Sequence, residues 1–252
     1  MPAISAVFDF NGTLSDDEPI LCEIFMRLFA EHGKPMSAQE YFDRLAGLSD
    51  PEIVRAWLGD EHPDVDAVIE ERIVLYRDAV ADGSTVHEHV REAVRFAADL
   101  VPLAICSGAA RAEIEPVVEA AGLAGCFRLI VSSDDVVHGK PDPEGYLKAF
   151  GELGVDPGDS VVVEDTEAGI ASARAAGVGC VLALQTTLDP HRLAEADELI
   201  NRLDDYYPPR AAAPPAPPLP DIAVIERPRW GLIALTAIVA GAIGALLMFV
   251  LG

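Results

Sequence analysis

Val161-Val-Val-Glu164-Asp165-Thr166-Glu-Ala-Gly169-Ile170 is a short β-branched run that ends in two adjacent carboxylates and passes straight into a helix signal. The helix over about 167–176 stops at Gly177, and Val178–Leu182 is again a short apolar strand. Upstream, the same alternation holds back to residue 88. A helix near 88–99 precedes a strand at Val101–Cys106, and a helix near 110–121, ended by Gly122, precedes a strand at Phe127–Val131. A helix opened by Asp142-Pro143 then precedes the strand at Ser160–Val163. Short apolar strands bounded by Gly or Pro and alternating with helices specify a parallel sheet covered on both faces. The first strand, Ile4–Phe8, is followed by a Gly12 turn and then by helical signals alone: a helix from about Asp17 to His32, and helical patterns through residues 37–82. Ser37 with Glu40 resembles a capping box, and Asp50-Pro51-Glu52 puts a cap before an N1 proline. The expected fold is therefore α/β: a Rossmann-like parallel core from residues 1–15 and 87–206, with an all-helical cap inserted at 16–86.

In parallel sheets, ligands lie beyond the carboxyl ends of the strands, so the chemistry is sought there. Asp9, directly after the first strand and before Gly12, is placed as a nucleophile or metal ligand. Ser107-Gly108-Ala109 follows the second strand with a hydroxyl and backbone N–H groups near a helix start, a setting suited to an anion. Gly139-Lys140-Pro141-Asp142-Pro143 holds one lysine in a proline-stiffened loop. Adjacent Glu164 and Asp165 repel each other and are costly to bury unless a cation joins them. Their oxygen-rich surroundings favour a hard ion, magnesium before calcium.

Taken in order, these four segments resemble the four motifs of the haloacid dehalogenase (HAD) superfamily over residues 4–205. The stretch around Glu164-Asp165 and Gly139-Lys-Pro-Asp-Pro143 come closest to the family pattern. The resemblance implies a two-step phosphoryl transfer on a small phosphorylated metabolite. Asp9 would attack phosphorus, Ser107 and nearby amides would grip phosphate oxygens, and Lys140 would balance the charge. Magnesium would be held by Asp9, the backbone carbonyl of Asn11 and Asp165, with Glu164 close by. The position of the insertion resembles the helical cap of the phosphoglycolate phosphatase and β-phosphoglucomutase branch. Arg44-Leu-Ala-Gly47-Leu-Ser49-Asp50 looks like that branch's substrate loop, which makes Arg44, Gly47 and Ser49 candidate selectivity residues. The same residues also read as a helix cap at Ser49 beside a surface Arg44.

One position departs from the pattern. Two residues after the nucleophile most family phosphatases carry a second aspartate, the general acid and base; here it is Asn11. An amide cannot donate a proton to a leaving alkoxide, and positioned acid–base catalysis contributes about 10²–10⁴-fold. Slow hydrolysis of a phosphate monoester is the expected activity. A β-phosphoglucomutase-like phosphomutase, or a membrane-tethered binding or scaffold protein, are the competing readings.

The 252 residues carry 18 basic and 42 acidic side chains, a net charge of −24. Because Asp221, Glu226, Arg227 and Arg229 cancel, the excess lies in residues 1–210. Such a surface repels phosphate backbones and excludes nucleic acid as an expected partner. Cys22, Cys106, Cys126 and Cys180 have no metal-ligand spacing and read mostly as buried thiols. Met1-Pro2-Ala3 runs directly into the first strand, so no leader is expected. At the other end, residues 207–229 form a spacer with seven prolines at 208–220, and residues 230–252 carry no charge. As a helix, that run would extend roughly 34 Å, enough for a hydrocarbon core of about 30 Å. A single C-terminal transmembrane helix is expected, with Arg227 and Arg229 keeping the catalytic part cytoplasmic.

Overall fold

Ala6, Val7 and Phe8 form β1 and have no exposed surface, because strands pair with them on both edges. Ala6, Val7 and Phe8 face Leu103, Ala104 and Ile105 of β2 (Leu103–Cys106) on one side. They face Val161, Val162 and Val163 of β4 (Val161–Glu164) on the other. With β3 (Phe127–Val131), β5 (Cys180–Leu184) and β6 (Glu198–Ile200), the sheet has six parallel strands in the order β3-β2-β1-β4-β5-β6. The structure, a computed structural model, describes residues 3–186 and 188–207. The proline-rich spacer beyond Tyr207 and the apolar run at 230–252 lie outside the described residues. Among the described residues, no helix is long and apolar enough to cross a membrane.

Alternation along the strands sends side chains to two faces. Phe8, Leu103, Ile105 and Val163 join one apolar cluster with α5 (Glu88–Leu100) and α6 (Arg111–Ala120). Val7, Ala104, Val162 and Val181 join a second with α7 (Glu144–Leu153) and α8 (Glu167–Ala175). Four helices intervene between β1 and α5: α1 (Glu18–Glu31), α2 (Ala38–Arg44), α3 (Asp50–Leu58) and α4 (Val65–Val80). Phe25, Leu28, Ile53, Val54 and Val68 of this insertion belong to the same cluster as Phe8 and Leu103. Its interior is thus continuous with one face of the sheet, and the described residues belong to one compact unit.

Local chemistry corrects several boundaries. Of the two caps the sequence offers for α3, the structure uses Ser49 rather than Asp50: Ser49 donates from its backbone N–H at 2.9 Å and its hydroxyl at 2.6 Å to Glu52, which leaves Pro51 in the first turn. The expected box at Ser37 and Glu40 is present. Strand β5 begins two residues later than the apolar run suggests. Gly179 donates to the Pro157 carbonyl at 3.0 Å, and a Cβ there would meet the Gly158 oxygen at 2.0 Å, so residues 178–179 form a tight crossing. The short β6 and the single-turn α9 (Leu203–Tyr206) carry no pattern long enough to read in the sequence. Cys22 and Cys106 are buried, whereas Cys126 and Cys180 are half-buried.

Candidate active site

The chain leaves β1, builds the sheet outward through β2 and β3, then crosses back to β4 on the other side of β1. The carboxyl ends of β1 and β4 therefore flank a reversal of strand order, where an open α/β sheet leaves a crevice. Asp9 follows β1 and Asp165 follows β4; both are buried and both line one cavity of about 530 Å³. The turn at residues 10–15 lets the two approach. Gly12 has φ +73°, and a Cβ on it would lie 2.1 Å from Asp165 Oδ2. Gly169, at the start of α8, likewise leaves room for the Glu164 carboxylate, which a Cβ would meet at 1.9 Å.

Lys140 reaches in from the loop before α7 and donates to Asp9 Oδ1 and to Glu164 Oε1, each at 2.5 Å. Glu164 has no exposed surface and accepts five hydrogen bonds. These come from Lys140 Nζ, Tyr146 Oη at 2.7 Å, the Asp165 and Thr166 amides, and Thr166 Oγ1. Its lone pairs are occupied, and it fixes the lysine instead of lining the cavity. Asp165 is less provided for: Thr13 Oγ1 donates to it at 3.2 Å, and Thr186 Oγ1 stands at 3.5 Å.

Three carboxylates thus share one ammonium. Burial, only partly offset by Lys140, pushes the Asp9 carboxyl up to about 7. Burial, reinforced by Asp9 and Glu164, pushes Asp165 well above the usual carboxylate range. Burial disfavours the charged form of Lys140, but the two carboxylates outweigh it and hold the ammonium above its ordinary range. Ligand oxygens of Asp9, Glu164 and Asp165 lie within 4.8 Å of one another. This all-oxygen, charge-deficient group fits a hard divalent cation, with Asp9 and Asp165 the free donors.

Ser107 is buried at the cavity wall, and its hydroxyl accepts from the Ala109 amide at 3.1 Å. The next two amides, of Ala110 and Arg111 at the start of α6, are taken by Glu113 at 3.1 Å and Asp134 at 2.9 Å. The Ser107 hydroxyl and the exposed Gly108 remain to meet a ligand. Asn11 also lines the cavity, but its amide nitrogen donates away from it, to Asp17 Oδ2 at 2.9 Å and Tyr76 Oη at 3.2 Å. Burial pushes the Asp17 carboxyl up to about 6, against the hydrogen bond from Tyr76.

Of the three cap candidates, Gly47 and Ser49 line the cavity. Arg44 does not belong with them: it is exposed, with its guanidinium stacked 5.1 Å over the Trp57 ring, because it sits on the outer side of the last turn of α2. The arginine of the cavity is Arg72 on α4, buried and paired with Asp50 of α3 and Glu113 of α6. It stands in the helical stripe Val65–Val68–Arg72–Tyr76–Val80, where a charge on an otherwise buried face signals a tertiary partner. Glu18, which accepts from Tyr41 Oη at 3.0 Å, lines the same end.

A sequence profile described as haloacid dehalogenase-like hydrolase matches residues 6–183. Validoxylamine A 7'-phosphate phosphatase from Streptomyces hygroscopicus subsp. limoneus is 33% identical over 206 residues, covering 79% of this chain and 94% of that protein. A phosphoglycolate phosphatase from Pseudomonas putida is 31% identical over 182 residues, covering 69% and 67%. The crystal structure of CbbY from Rhodobacter sphaeroides with xylulose-1,5-bisphosphate superimposes with a TM-score of 0.71 at 24% identity. It covers 80% of this chain and 95% of that one, a likeness of fold.

Proposed function

The chain belongs to the haloacid dehalogenase-like hydrolase family as an enzyme of the phosphatase type, and from that premise we propose that it hydrolyses a small phosphate monoester through Asp9. The observation that carries this reading is the buried Asp9 carboxylate, pinned by Lys140 at a strand end in the wall of a cavity that Ser107 also lines. An oxygen of Asp9 forms a bond to phosphorus while the bond to the ester oxygen breaks, giving an aspartyl-phosphate and an alkoxide. Lys140 keeps Asp9 oriented and shields the phosphoryl oxygens. The Ser107 hydroxyl holds one of those oxygens. Asp9, Asp165 and the Asn11 carbonyl would hold magnesium, which would neutralise the developing charge when bound. Water then attacks phosphorus and releases Asp9. Asn11 cannot supply the departing alkoxide with a proton, so the proton comes from solvent and turnover is slow. For the same reason the phosphomutase reading is not favoured.

The test is phosphate release from p-nitrophenyl phosphate with magnesium, with Asp9→Asn as control. Loss of a nucleophile should lower the rate by about 10³-fold or more. Equal rates in the two proteins would sink the reading.

We further infer, from the sequence of residues 230–252, that the catalytic part is tethered to a membrane with its globular face cytoplasmic. Deleting residues 208–252 should move the protein from the membrane fraction to the soluble one with unchanged kinetics. Retention on the membrane would refute the tether.

A further inference from the structure

We propose that the cap end of the cavity selects phosphate monoesters whose carbon skeleton offers hydroxyl or amine donors and carries no second anion. The inference rests on the phosphatase reading and narrows its substrate class.

Three observations converge. The first is charge. Glu18 on α1, Asp50 on α3 and Glu113 on α6 present carboxylates at this end, and Arg72 is the one permanent cation among the described lining residues there. Arg72 is already paired with two of these carboxylates, so its charge is spent inside the wall. A carboxylate or second phosphate on the ligand would meet an excess of negative charge with no free cation, and like-charge contact suppresses wrong partners. At the other end, Lys140 receives the one anion the chemistry needs.

The second is hydrogen-bonding sense. Glu18 has one oxygen engaged by Tyr41 and offers the other as an acceptor, so a ligand O–H or N–H completes it. Arg72 Nε, in turn, is a buried donor without a partner among the described residues. Burial, joined by the nearby Asp17 charge, pushes the Glu18 carboxyl up to about 7; a positively charged amine would return it to the ionised form.

The third is size. A cavity of about 530 Å³ exceeds the need of a two-carbon phosphate, and Leu21, Phe25, Ile53 and Ile69 add an apolar wall for a carbon face.

The full-length protein is assayed with glucose 6-phosphate, glucosamine 6-phosphate, phosphoglycolate and fructose 1,6-bisphosphate. Each serves both as a substrate and as a competitor of p-nitrophenyl phosphate. The two hexose monophosphates should be turned over or should compete at least about tenfold better than phosphoglycolate and the bisphosphate. Glu18→Gln, which removes the charge at constant shape, should lower the preference for glucosamine 6-phosphate over glucose 6-phosphate several-fold and narrow the penalty on phosphoglycolate. Equal or better handling of phosphoglycolate or the bisphosphate by the wild type would overturn the proposal while leaving the phosphatase reading intact. Absence of Asp9-dependent hydrolysis of p-nitrophenyl phosphate would remove that reading and this proposal with it.

Discussion

At the strand end of the cavity one ammonium, Lys140, is set among Asp9, Glu164 and Asp165; at the cap end one guanidinium, Arg72, is set between Asp50 and Glu113 with Glu18 nearby. The inventories are similar, and the outcomes differ. Glu164 is fully satisfied by Lys140, Tyr146, Thr166 and two backbone amides, but Asp165 has only two hydroxyl contacts, so the strand end stays short of positive charge. Arg72 spends its charge on helices α3 and α6 and ties the insertion to the core. The strand end is left short of positive charge, whereas at the cap end the guanidinium is already paired across two helices.

Lys140→Met probes the first half of that contrast and should have the largest effect. It leaves Asp9 and Glu164 buried without their cation, which costs about 5 kcal/mol of stability, the upper end for a broken buried pair. The deficit, read from urea melts, should shrink as pH falls through about 7, because protonation of Asp9, whose carboxyl burial already pushes up, removes uncompensated charge. A constant deficit from pH 8 to 5 would mean that packing, not charge, is lost. Arg72→Met probes the second half. Asp50 keeps 21% of its side chain exposed, so water compensates part of the loss and the expected cost is lower, about 3 kcal/mol. Arg72→Met combined with Glu113→Gln should recover part of it. No recovery would show that Arg72 acts through its packing over Tyr76 rather than through its charge.

The two ends also differed in how far the sequence disclosed them. Asp9, Ser107 and Glu164-Asp165 each sit at the end of a strand whose apolar run is short and sharply bounded, and Lys140 stands in the proline-stiffened loop between β3 and α7. The parallel sheet carries every such end to one edge, so local pattern sufficed to assemble the group. Division of labour inside it was not legible: that Glu164 turns inward to Lys140 and Tyr146 while Asp165 faces the cavity depends on the pleat and on Gly169. At the cap end, Asp50, Arg72 and Glu113 lie on three helices and meet only through helix packing, which periodicity does not specify. The motif leaves Arg44 open between a selectivity residue and a surface residue beside the Ser49 cap, and the helical phase of α2 makes it the latter, stacked on Trp57. The stripe of α4 held the better clue in a charged residue between Val68 and Tyr76.

Asn11→Asp tests whether the strand end lacks only a proton donor. Restored acid–base catalysis should raise turnover of p-nitrophenyl phosphate by about 10–10²-fold. Asn11 donates to Asp17, so the substitution also sets a half-buried carboxylate against a buried one and should lower stability by about 1–3 kcal/mol. Asn11→Asp with Asp17→Asn exchanges donor and acceptor and should keep the gain while restoring stability. Turnover at or below wild type in both variants would show that Asn11 is not what limits the rate.

The smallest effect is expected from Glu18→Gln on stability, and its pH dependence carries the argument. Burial raises the Glu18 carboxyl from 4.5 to about 7, so the folded state holds this proton more tightly than the unfolded chain does. A raised folded-state value contributes stability that is fully present below about 4.5 and is lost as pH rises through about 7. Glutamine keeps the shape and the acceptor for Tyr41 but cannot ionise, so wild type and variant should match in acid and diverge between these limits, with the variant the more stable at pH 8. A divergence in the opposite sense would mean that the ionised carboxylate is stabilised by its surroundings. The cap end would then hold a cationic influence stronger than a guanidinium already shared between Asp50 and Glu113, and the contrast between the two ends would fail.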